Sequence, residues 1–465
     1  MVSASRQAIG EENRIPESVL ARLICLPRAV GLVLDALRTG GARGWLCGGC
    51  VRDLLLGVIP GDVDLAMDCA PEVAMRLLPA AWILDDQSGL SLGSLRLEVE
   101  GCLIEITSLR EDGPYSDGRK PDSVRFVEDP RVDYRRRDFT VNAMYLDPLE
   151  GTLLDPSGGL DDVETRRLRT VGDACSRFEE DSLRLLRAIR FSAQCGLVMD
   201  AATWSAVLAT ANRSAMLSRS RVRDELEGIF RSRGRARGLM LLVESGLADI
   251  HLPRIPPLRE VPQPPQYHPE GDVLRHTALV LAFLPDPVPV DMAWAAVFHD
   301  IGKKDTFEIA ADRIRFHDHD RVSAVFAESW LLEHGVPRSV TERVASLVRE
   351  HIRFAALPGF RASKRRAFLQ DPLFEKHLEF HRADCMASHR MLDIYASMRR
   401  ERAQLPPGPP SPLLMGRDLV GIGFRPGPAI GTLLARIEQE RAEGHLGNRQ
   451  EALEFALRWR DDHSA

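Results

Sequence analysis

The chain has 465 residues, 44% of them hydrophobic and 28% charged, with a formal net charge of −6. That length and apolar content predict two to four domains with their own cores, and no apolar run reaches the roughly 20 residues of a membrane span. The negative balance excludes a uniformly basic surface, so contact with a nucleic acid has to come from local clusters of cations.

The N-terminus, Met1-Val2-Ser3-Ala4-Ser5-Arg6, lacks the long apolar core of a secretion signal, and the eight cysteines are scattered rather than framed. Both features predict a cytoplasmic, reducing location. Residues 1–40 are expected to form a helical lead-in. The apolar run Trp45-Leu46-Cys47, the pair Gly48-Gly49 and an amphipathic stretch over 51–56 then predict strand, turn and helix. Backbone N–H groups at that turn, with the positive end of the helix dipole, make an anion site for a triphosphate, and Gly49 leaves room for its approach. Arg52, one turn into the helix, adds a charged fork. Cys47 and Cys50 also form a Cys-x-x-Cys, which suits zinc or a redox pair, but no second pair stands at zinc-finger spacing.

Asp62-Val63-Asp64 follows. On a strand, side chains at i and i+2 share a face, so both carboxylates can reach one site. Such a pair of hard oxygen ligands suits Mg²⁺ and two-ion phosphoryl transfer; by itself it also fits a turn that uses aspartates for chain reversal. Together with the glycine turn it resembles the signature of class II tRNA nucleotidyltransferases, the CCA-adding enzymes, and bacterial poly(A) polymerases. That pattern is Gly-Gly-x-Val-Arg-Asp followed by Asp-x-Asp.

Residues 95–100 and 103–107 alternate like adjacent strands around Gly101, which isolates Glu105 among apolar neighbours. Glu105 is the candidate third carboxylate of the site, or else an exposed strand residue. The polar loop Glu111-Asp112-Gly113-Pro114-Tyr115-Ser116-Asp117-Gly118-Arg119-Lys120-Pro121 resembles the family's flexible loop, implied to reshape the site for the last nucleotide. Arg136-Arg137-Asp138-Phe139-Thr140-Val141-Asn142-Ala143 matches the family's Arg-Arg-Asp-Phe-Thr-x-Asn-Ala. An aspartate accepts from a ribose hydroxyl while Arg137 pairs with phosphate, which favours a ribonucleotide. The resemblance implies nucleotide contacts for Arg137, Asp138 and Asn142. Asp155-Pro156-Ser157-Gly158-Gly159 resembles the family's connection to the neck and is read as structural.

In Glu180-Asp181-Ser182-Leu183-Arg184-Leu185-Leu186-Arg187-Ala188-Ile189-Arg190-Phe191, helical spacing predicts Asp181, Arg184 and Arg187 on one face, with Leu185, Leu186 and Ile189 inward. A carboxylate beside a guanidinium presents an acceptor next to a donor. That complements the amino group and ring nitrogen of cytosine and adenine and opposes guanine and uracil. The same residues also read as an ordinary i,i+3 salt bridge. The stretch matches the family's Glu-Asp-x-x-Arg motif, which implies that Asp181 and Arg184 read the base edge while Arg187 and Arg190 support the nucleotide and its phosphates. Downstream, eight arginines fall within residues 213–237 against Asp224, Glu225 and Glu227. They are read as an RNA-backbone surface carried by Arg219, Arg221 and Arg223, or as a solvated face. Ser220-Arg221-Val222-Arg223-Asp224-Glu225-Leu226 resembles the family's Glu-Arg-x-x-x-Glu-Leu helix, with Ser220 where glutamate is usual.

Seven prolines between 253 and 269 predict a stiff linker, and a second proline-rich segment spans 406–412. Between them come His276, His299-Asp300, His319, His351 and Asp384, imidazoles and carboxylates suited to a divalent metal. Phe298-His299-Asp300-Ile301-Gly302-Lys303 closes an apolar helical run, and the order resembles the HD phosphohydrolase superfamily. The resemblance implies His276, His299, Asp300 and Asp384 as primary ligands of a divalent metal of unspecified identity, with His319 and His351 for a second ion or a phosphate. It implies cleavage of cyclic phosphates or phosphomonoesters on RNA ends; a domain kept only for packing or RNA contact is the other reading. The tail segment Gly416-Arg417-Asp418-Leu419-Val420-Gly421-Ile422-Gly423-Phe424-Arg425-Pro426-Gly427-Pro428 is read as a helix-linking turn.

The expected fold class is therefore α+β: a polymerase-β-like nucleotidyltransferase head with a mixed sheet, an all-helical neck and body, and a helical HD domain. The expected divisions are a lead-in (1–40), head (41–155), neck (156–252), linker (253–270), HD domain (271–404), and linker with helical tail (405–465). The expected activity is addition of C and A to the tRNA 3′ end from CTP and ATP, with Mg²⁺ on Asp62 and Asp64 and Glu105 beside them. A poly(A) polymerase or an A-only or CC-only enzyme fits the same motifs, and an HD phosphohydrolase with a nucleotide-binding head is the rival of another class. The partners implied are the tRNA 3′ end, ATP and CTP, with no membrane; the oligomeric state is left open.

Overall fold

The computed structural model describes residues 12–84, 87–115, 121–311, 314–405 and 412–463. The N-terminal hexapeptide, residues 116–120 of the polar loop and residues 406–411 of the second proline-rich segment lie outside the described residues. The chain divides into two compact units, Met1–Pro253 and Arg254–Ala465.

The first unit opens with β1 (Glu12–Arg14), α1 (Glu17–Leu23), α2 (Arg28–Thr39), β2 (Gly44–Cys47), α3 (Gly49–Leu56), β3 (Asp64–Met67) and α4 (Pro71–Leu77). Next come β4 (Ser94–Val99), β5 (Cys102–Ser108), β6 (Arg110–Asp112), β7 (Val124–Phe126), α5 (Pro130–Asp133), β8 (Tyr145–Asp147) and β9 (Thr152–Leu154). Seven of these strands form one sheet in the order β1-β9-β8-β2-β3-β5-β4. β3 and β5 run parallel while every other pair in it is antiparallel, so the sheet is mixed. The alternation read from the sequence is visible in β4, where Leu95, Leu97 and Val99 are buried and Arg96 and Glu98 are exposed. The expected helical lead-in differs at its start: β1 adds an edge strand to β9, because residues there pair with free backbone groups of the sheet instead of closing a helix.

The neck continues with α6 (Gly159–Glu164), β10 (Arg167–Leu168), α7 (Ala174–Glu180), α8 (Leu183–Cys195), β11 (Val198–Met199), α9 (Ala201–Thr210), α10 (Arg219–Phe230), α11 (Arg235–Glu244) and α12 (Leu247–His251). α8 is the central helix, burying Leu185, Leu186, Ala188, Ile189 and Phe191.

The second unit carries α13 (Val273–Phe283), α14 (Val290–Phe298), a hairpin β12 (Phe307–Ile309) and β13 (Ile314–Phe316), α15 (His319–Glu333), α16 (Arg338–Glu350), α17 (Ala362–Leu369), α18 (Phe374–Ala387) and α19 (Asp393–Ala403). Every residue of α14 from Asp291 onward is buried, and Trp294, Phe298 and Trp330 meet with ring centroids 4.9–5.6 Å apart. The proline-rich segment is not the free-standing linker the composition suggests. Ile255, Leu258, Val261 and Gln263 are buried in it, Pro262 bridges to Asp272, and it belongs to the second unit. The tail folds as α20 (Gly416–Gly421), α21 (Pro428–Ala442) and α22 (Arg449–His463) around Leu419, Leu433 and Ile437.

Candidate functional site

The glycine turn forms as expected. Gly48 has φ +69°, a conformation that costs a side chain dearly, and it stands where an added Cβ would lie 3.4 Å from the Asp64 carboxylate. α3 starts at Gly49. Asp62 lies in the bend before β3, and the strand proper begins only at Asp64. Val63 is buried between the two exposed aspartates, so the shared face holds across the bend. In the parallel register Asp64 stands beside Glu105. Surrounding protein, then Glu105, push the Asp64 carboxyl above its ordinary range, and Asp62 adds to the effect against the opposing pull of Arg137. Carboxylates that raise one another in this way fit a cation between them.

A cleft of about 600 Å³ opens beside Gly48 and Asp64. Gly48, Gly49, Arg52, Asp62, Asp64, Arg137, Asp138 and Asn142 line it from the head, and Asp181, Arg184, Arg187, Arg190 and Arg221 from the neck. Glu105 does not line it and flanks it through Asp64. Seven arginines face the cleft, a charge density suited to a polyphosphate.

Most of these groups are held by bonds that chain order does not reveal. Arg52 donates to Asp53 at 2.7 Å and to Asn142 Oδ1 at 2.8 Å. Asp138 is buried, accepts from Asn142 at 3.1 Å, and pairs with Arg187 at 2.6 Å. Burial alone would raise its carboxyl, but Arg187 and Asn142 overcome that and hold it near 2. Asp133 accepts from Arg136 at 2.7 Å, Arg137 at 3.1 Å, Tyr145 Oη at 2.6 Å and the Arg110 N–H at 2.8 Å. It is the residue that aims Arg137, and nothing in its sequence context marks it.

The expectation that Asp181, Arg184 and Arg187 share one helical face does not hold for Asp181. α7 ends before it, its φ is −144°, and its carboxylate accepts from the Leu183 N–H at 3.0 Å where α8 begins. The i,i+3 salt bridge is absent as well. Asp181 pairs with Arg221 at 3.1 Å, and Arg184 with Glu180 at 2.7 Å. Arg184 also donates to the carbonyls of Arg177 at 2.9 Å and Arg136 at 3.0 Å, which leaves roughly two of its five N–H groups for a ligand. Arg221, expected on an RNA-facing surface, is thus a cleft residue. Of its neighbours Arg219 is exposed and Arg223 pairs with Asp224 at 2.7 Å, while Arg235 is buried, so the arginine cluster is not one face. Glu225 holds Arg190 at 2.6 Å, so α10 braces both α8 and the residue Asp181 that precedes it. The departure at Ser220 falls on an exposed position.

Arg52, Arg187 and Arg190 place their guanidinium carbons 4.8, 5.1 and 4.4 Å from the centroid of one ring, Phe191. Cys47 and Cys50 are buried thiols that burial pushes up; the Cys50 Sγ donates to the Cys47 carbonyl at 3.0 Å, and all eight cysteines are free. Neither a zinc cluster nor a disulfide forms there.

In the second unit the expected metal residues converge from α13, α15 and α18 and from the C-terminal ends of α14 and α16. His276, His299 and Asp384 place ligand atoms within 4.8 Å of one another, as do Asp300, His319 and His351. Asp300 stands between the sets. Its Oδ2 is 3.2 Å from His299 and 3.7 Å from His276, and its Oδ1 is 3.4 Å from His319 and 3.6 Å from His351. Gly302 permits this, since a Cβ there would fall 2.5 Å from the His319 carbonyl. The Nε2 atoms of His276 and His299 and Asp300 Oδ1 are buried and make no hydrogen bond outside this cluster, while Asp300 Oδ2 also pairs with Lys303 Nζ at 2.7 Å. Polar atoms left so inside a protein fit metal coordination.

Three family models match segments of the chain. Residues 44–169 match the poly A polymerase head domain, 196–258 the "Probable RNA and SrmB- binding site of polymerase A", and 274–386 the HD domain. A CCA-adding enzyme of Geobacillus thermodenitrificans is 36% identical over 279 residues, 60% of this chain and 64% of that protein. The match to the enzyme of Geobacillus kaustophilus spans about half of that relative's length, 53%. An A-adding tRNA nucleotidyltransferase of Deinococcus radiodurans is 33% identical across 90% of this chain and 95% of its own. The chain belongs to the class II tRNA nucleotidyltransferase and poly(A) polymerase family. Among solved members of that family, the Bacillus stearothermophilus CCA-adding enzyme in complex with CTP aligns over 94% of this chain and 98% of its own, with 25% identity and a TM-score of 0.68. A Thermotoga maritima CCA-adding enzyme complexed with tRNA shares the fold, with a TM-score of 0.60 at 19% identity.

Proposed function

We propose that the chain is a template-independent RNA nucleotidyltransferase that extends the tRNA 3′ end with C and A. The observation that carries this reading is the single cleft joining Asp62 and Asp64 to Asp181 and Arg184, residues more than a hundred positions apart. The 3′ hydroxyl of the RNA attacks the α-phosphorus of CTP or ATP, a new phosphodiester forms, and pyrophosphate leaves. Asp62 and Asp64, with Glu105 beside them, would hold Mg²⁺, whose charge would neutralise the reacting phosphate. Arg52, Arg187 and Arg190 bind the triphosphate, Asp138 and Asn142 hold the ribose end, and the Asp181 carboxylate and spare Arg184 donors meet the base edge. Arg219 and Arg223 lie in the segment matched to an RNA-binding model and are assigned to the RNA backbone.

A second reading, addition of the terminal A alone, is favoured by the A-adding relative from Deinococcus radiodurans. Incubation of a tRNA lacking its 3′ end with each nucleotide separately separates them. CTP incorporation supports CCA addition, ATP incorporation only into a tRNA already ending in CC supports A addition, and long A tails support a poly(A) polymerase. Failure to incorporate any nucleotide overturns the whole reading.

For the second unit we propose a metal-dependent phosphohydrolase centre, in which His276, His299, Asp300 and Asp384 would hold a divalent ion and His319 and His351 a second ion or a phosphate. Such ions supply an activated water for hydrolysis of phosphate esters on RNA ends. Release of phosphate from a 3′-phosphorylated RNA end, or opening of a 2′,3′-cyclic end to a phosphomonoester, lost in Asp300→Asn, is the test.

A further inference from the structure

The four imidazoles of the HD centre are not held alike. His299, His319 and His351 each place Nδ1 against a backbone carbonyl three residues earlier, at 2.9, 2.9 and 2.6 Å. His276 instead gives its Nδ1–H to a side chain, Glu270 Oε1, at 2.7 Å. The same oxygen accepts from His268 Nδ1 at 2.9 Å. Glu270 is buried, and its Oε2 has no hydrogen-bond partner. Glu270 and His268 belong to no helix; they sit at the end of the proline-rich segment that composition marks as a spacer.

That segment reaches the centre a second time. Gln263, also buried, accepts from Lys303 Nζ at 2.7 Å, and the same Nζ pairs with Asp300 Oδ2 at 2.7 Å. Its two ends are tied together, since the Val273 N–H donates to the Val261 carbonyl at 3.1 Å and Asp272 caps α13.

We propose that residues 261–272 form a wall of the metal centre, with Glu270 as the positioning residue that fixes the His276 tautomer and thereby sets metal retention. The proposal rests on the reading of His276, His299, Asp300 and Asp384 as ligands. A histidine whose Nδ1–H is committed to a carboxylate presents the Nε2 lone pair inward and is a stronger donor than one hydrogen-bonded to a neutral partner. Of the four rings, His276 alone has its orientation set by a removable side chain, and His268 steadies that carboxylate from the other side. Gln263 does the equivalent for Lys303, which would otherwise be free to turn its charge fully onto Asp300.

The test uses the full chain, stripped with chelator and titrated with Co²⁺, whose visible absorption reports on imidazole ligation. Affinity is read by competition with a chromophoric chelator. Glu270→Gln is expected to weaken Co²⁺ binding about 10- to 100-fold and to alter the visible bands; His299→Ala, a direct ligand change, is expected to lose the bands. Wild-type affinity and spectrum in Glu270→Gln, with the bands lost in His299→Ala, overturns the role of Glu270 and leaves the metal reading standing. Unchanged binding in both overturns the metal reading, and this proposal with it. Should Glu270→Gln fail to fold, His268→Gln carries the same test, with an expected loss of about threefold, and wild-type affinity there overturns the wall.

Discussion

Replacing Phe191 by leucine tests whether the arginines of the cleft are prearranged for a triphosphate. Phe191 is 4% exposed and stands edge-on to Phe139, with centroids 5.7 Å apart. Three guanidinium groups approach its ring within 5.1 Å, and like charges gathered so closely repel one another. Each cation–π contact is worth about 0.5–1 kcal/mol, so losing three releases the cluster by about 1.5–3 kcal/mol. If that energy holds the arginines in their bound positions, KM for the nucleotide rises about 10- to 100-fold. The assay is steady-state incorporation of CTP and ATP into a tRNA lacking its 3′ end, well below the melting temperature. Both KM values are expected to rise by the same factor with kcat within a few fold, because the three arginines against the ring are assigned to the triphosphate that CTP and ATP share. Inhibition by tripolyphosphate weakens in parallel, and Phe191→Tyr, which keeps the ring, restores most of the affinity. An unchanged KM with a lowered Tm refutes the reasoning and leaves Phe191 as packing alone.

Asp64→Ala is expected to abolish incorporation while phosphate release by the second unit continues; loss of both activities refutes the two-site reading. Because the Asp64 carboxyl is held above its ordinary range, the folded state binds its proton more tightly than the unfolded chain does. Its contribution to metal-free stability is therefore unfavourable at neutral pH and is relieved as pH falls, so Asp64→Asn is expected to raise Tm in EDTA and to remove the Mg²⁺-induced rise seen in the parent. Asp133 lies near 2 in the fold, because Arg137 and Arg136 outweigh the burial that opposes its charge. Against an unfolded value of about 4 this amounts to about 2.5 kcal/mol, present above pH 4 and lost as pH falls from about 4 to 2. Denaturant titrations across that range measure it, and Asp133→Asn is expected to cost about 3–5 kcal/mol at neutral pH and to flatten the dependence. Arg184→Ala is expected to relax base choice, and retained C and A selectivity in single-nucleotide assays counts against its role.

Much of the architecture was legible in order along the chain. The Gly48-Gly49 turn, the β4–β5 hairpin around Gly101 and the apolar helix leading into His299-Asp300 all form where periodicity and turn chemistry predict them. The errors share a cause. Residues 253–270 carry the proline content of a spacer, and β1 lies in the expected helical lead-in, yet each finds backbone or apolar partners elsewhere that composition does not display. The spacing of Asp181 to Arg184 fits a helix, whereas Asp181 lies between two helices and its carboxylate accepts from the Leu183 N–H that opens the second.

The candidate site shows the same division more sharply. Motifs within a dozen residues specify which chemical groups are present: paired carboxylates, a glycine-lined anion turn, an aspartate near an arginine, and a series of histidines. Those motifs are short because metal, phosphate and base recognition each need a few donors at fixed local spacing. Which group orients which is decided by contacts such as Arg184 to the Arg136 carbonyl, Arg221 to Asp181 and Asp133 to Tyr145. These join separate elements, and a hydrogen bond depends on distance and angle in space, not on position along the chain. The sequence by itself therefore determined the reagents, and the tertiary structure alone decided how they are aimed.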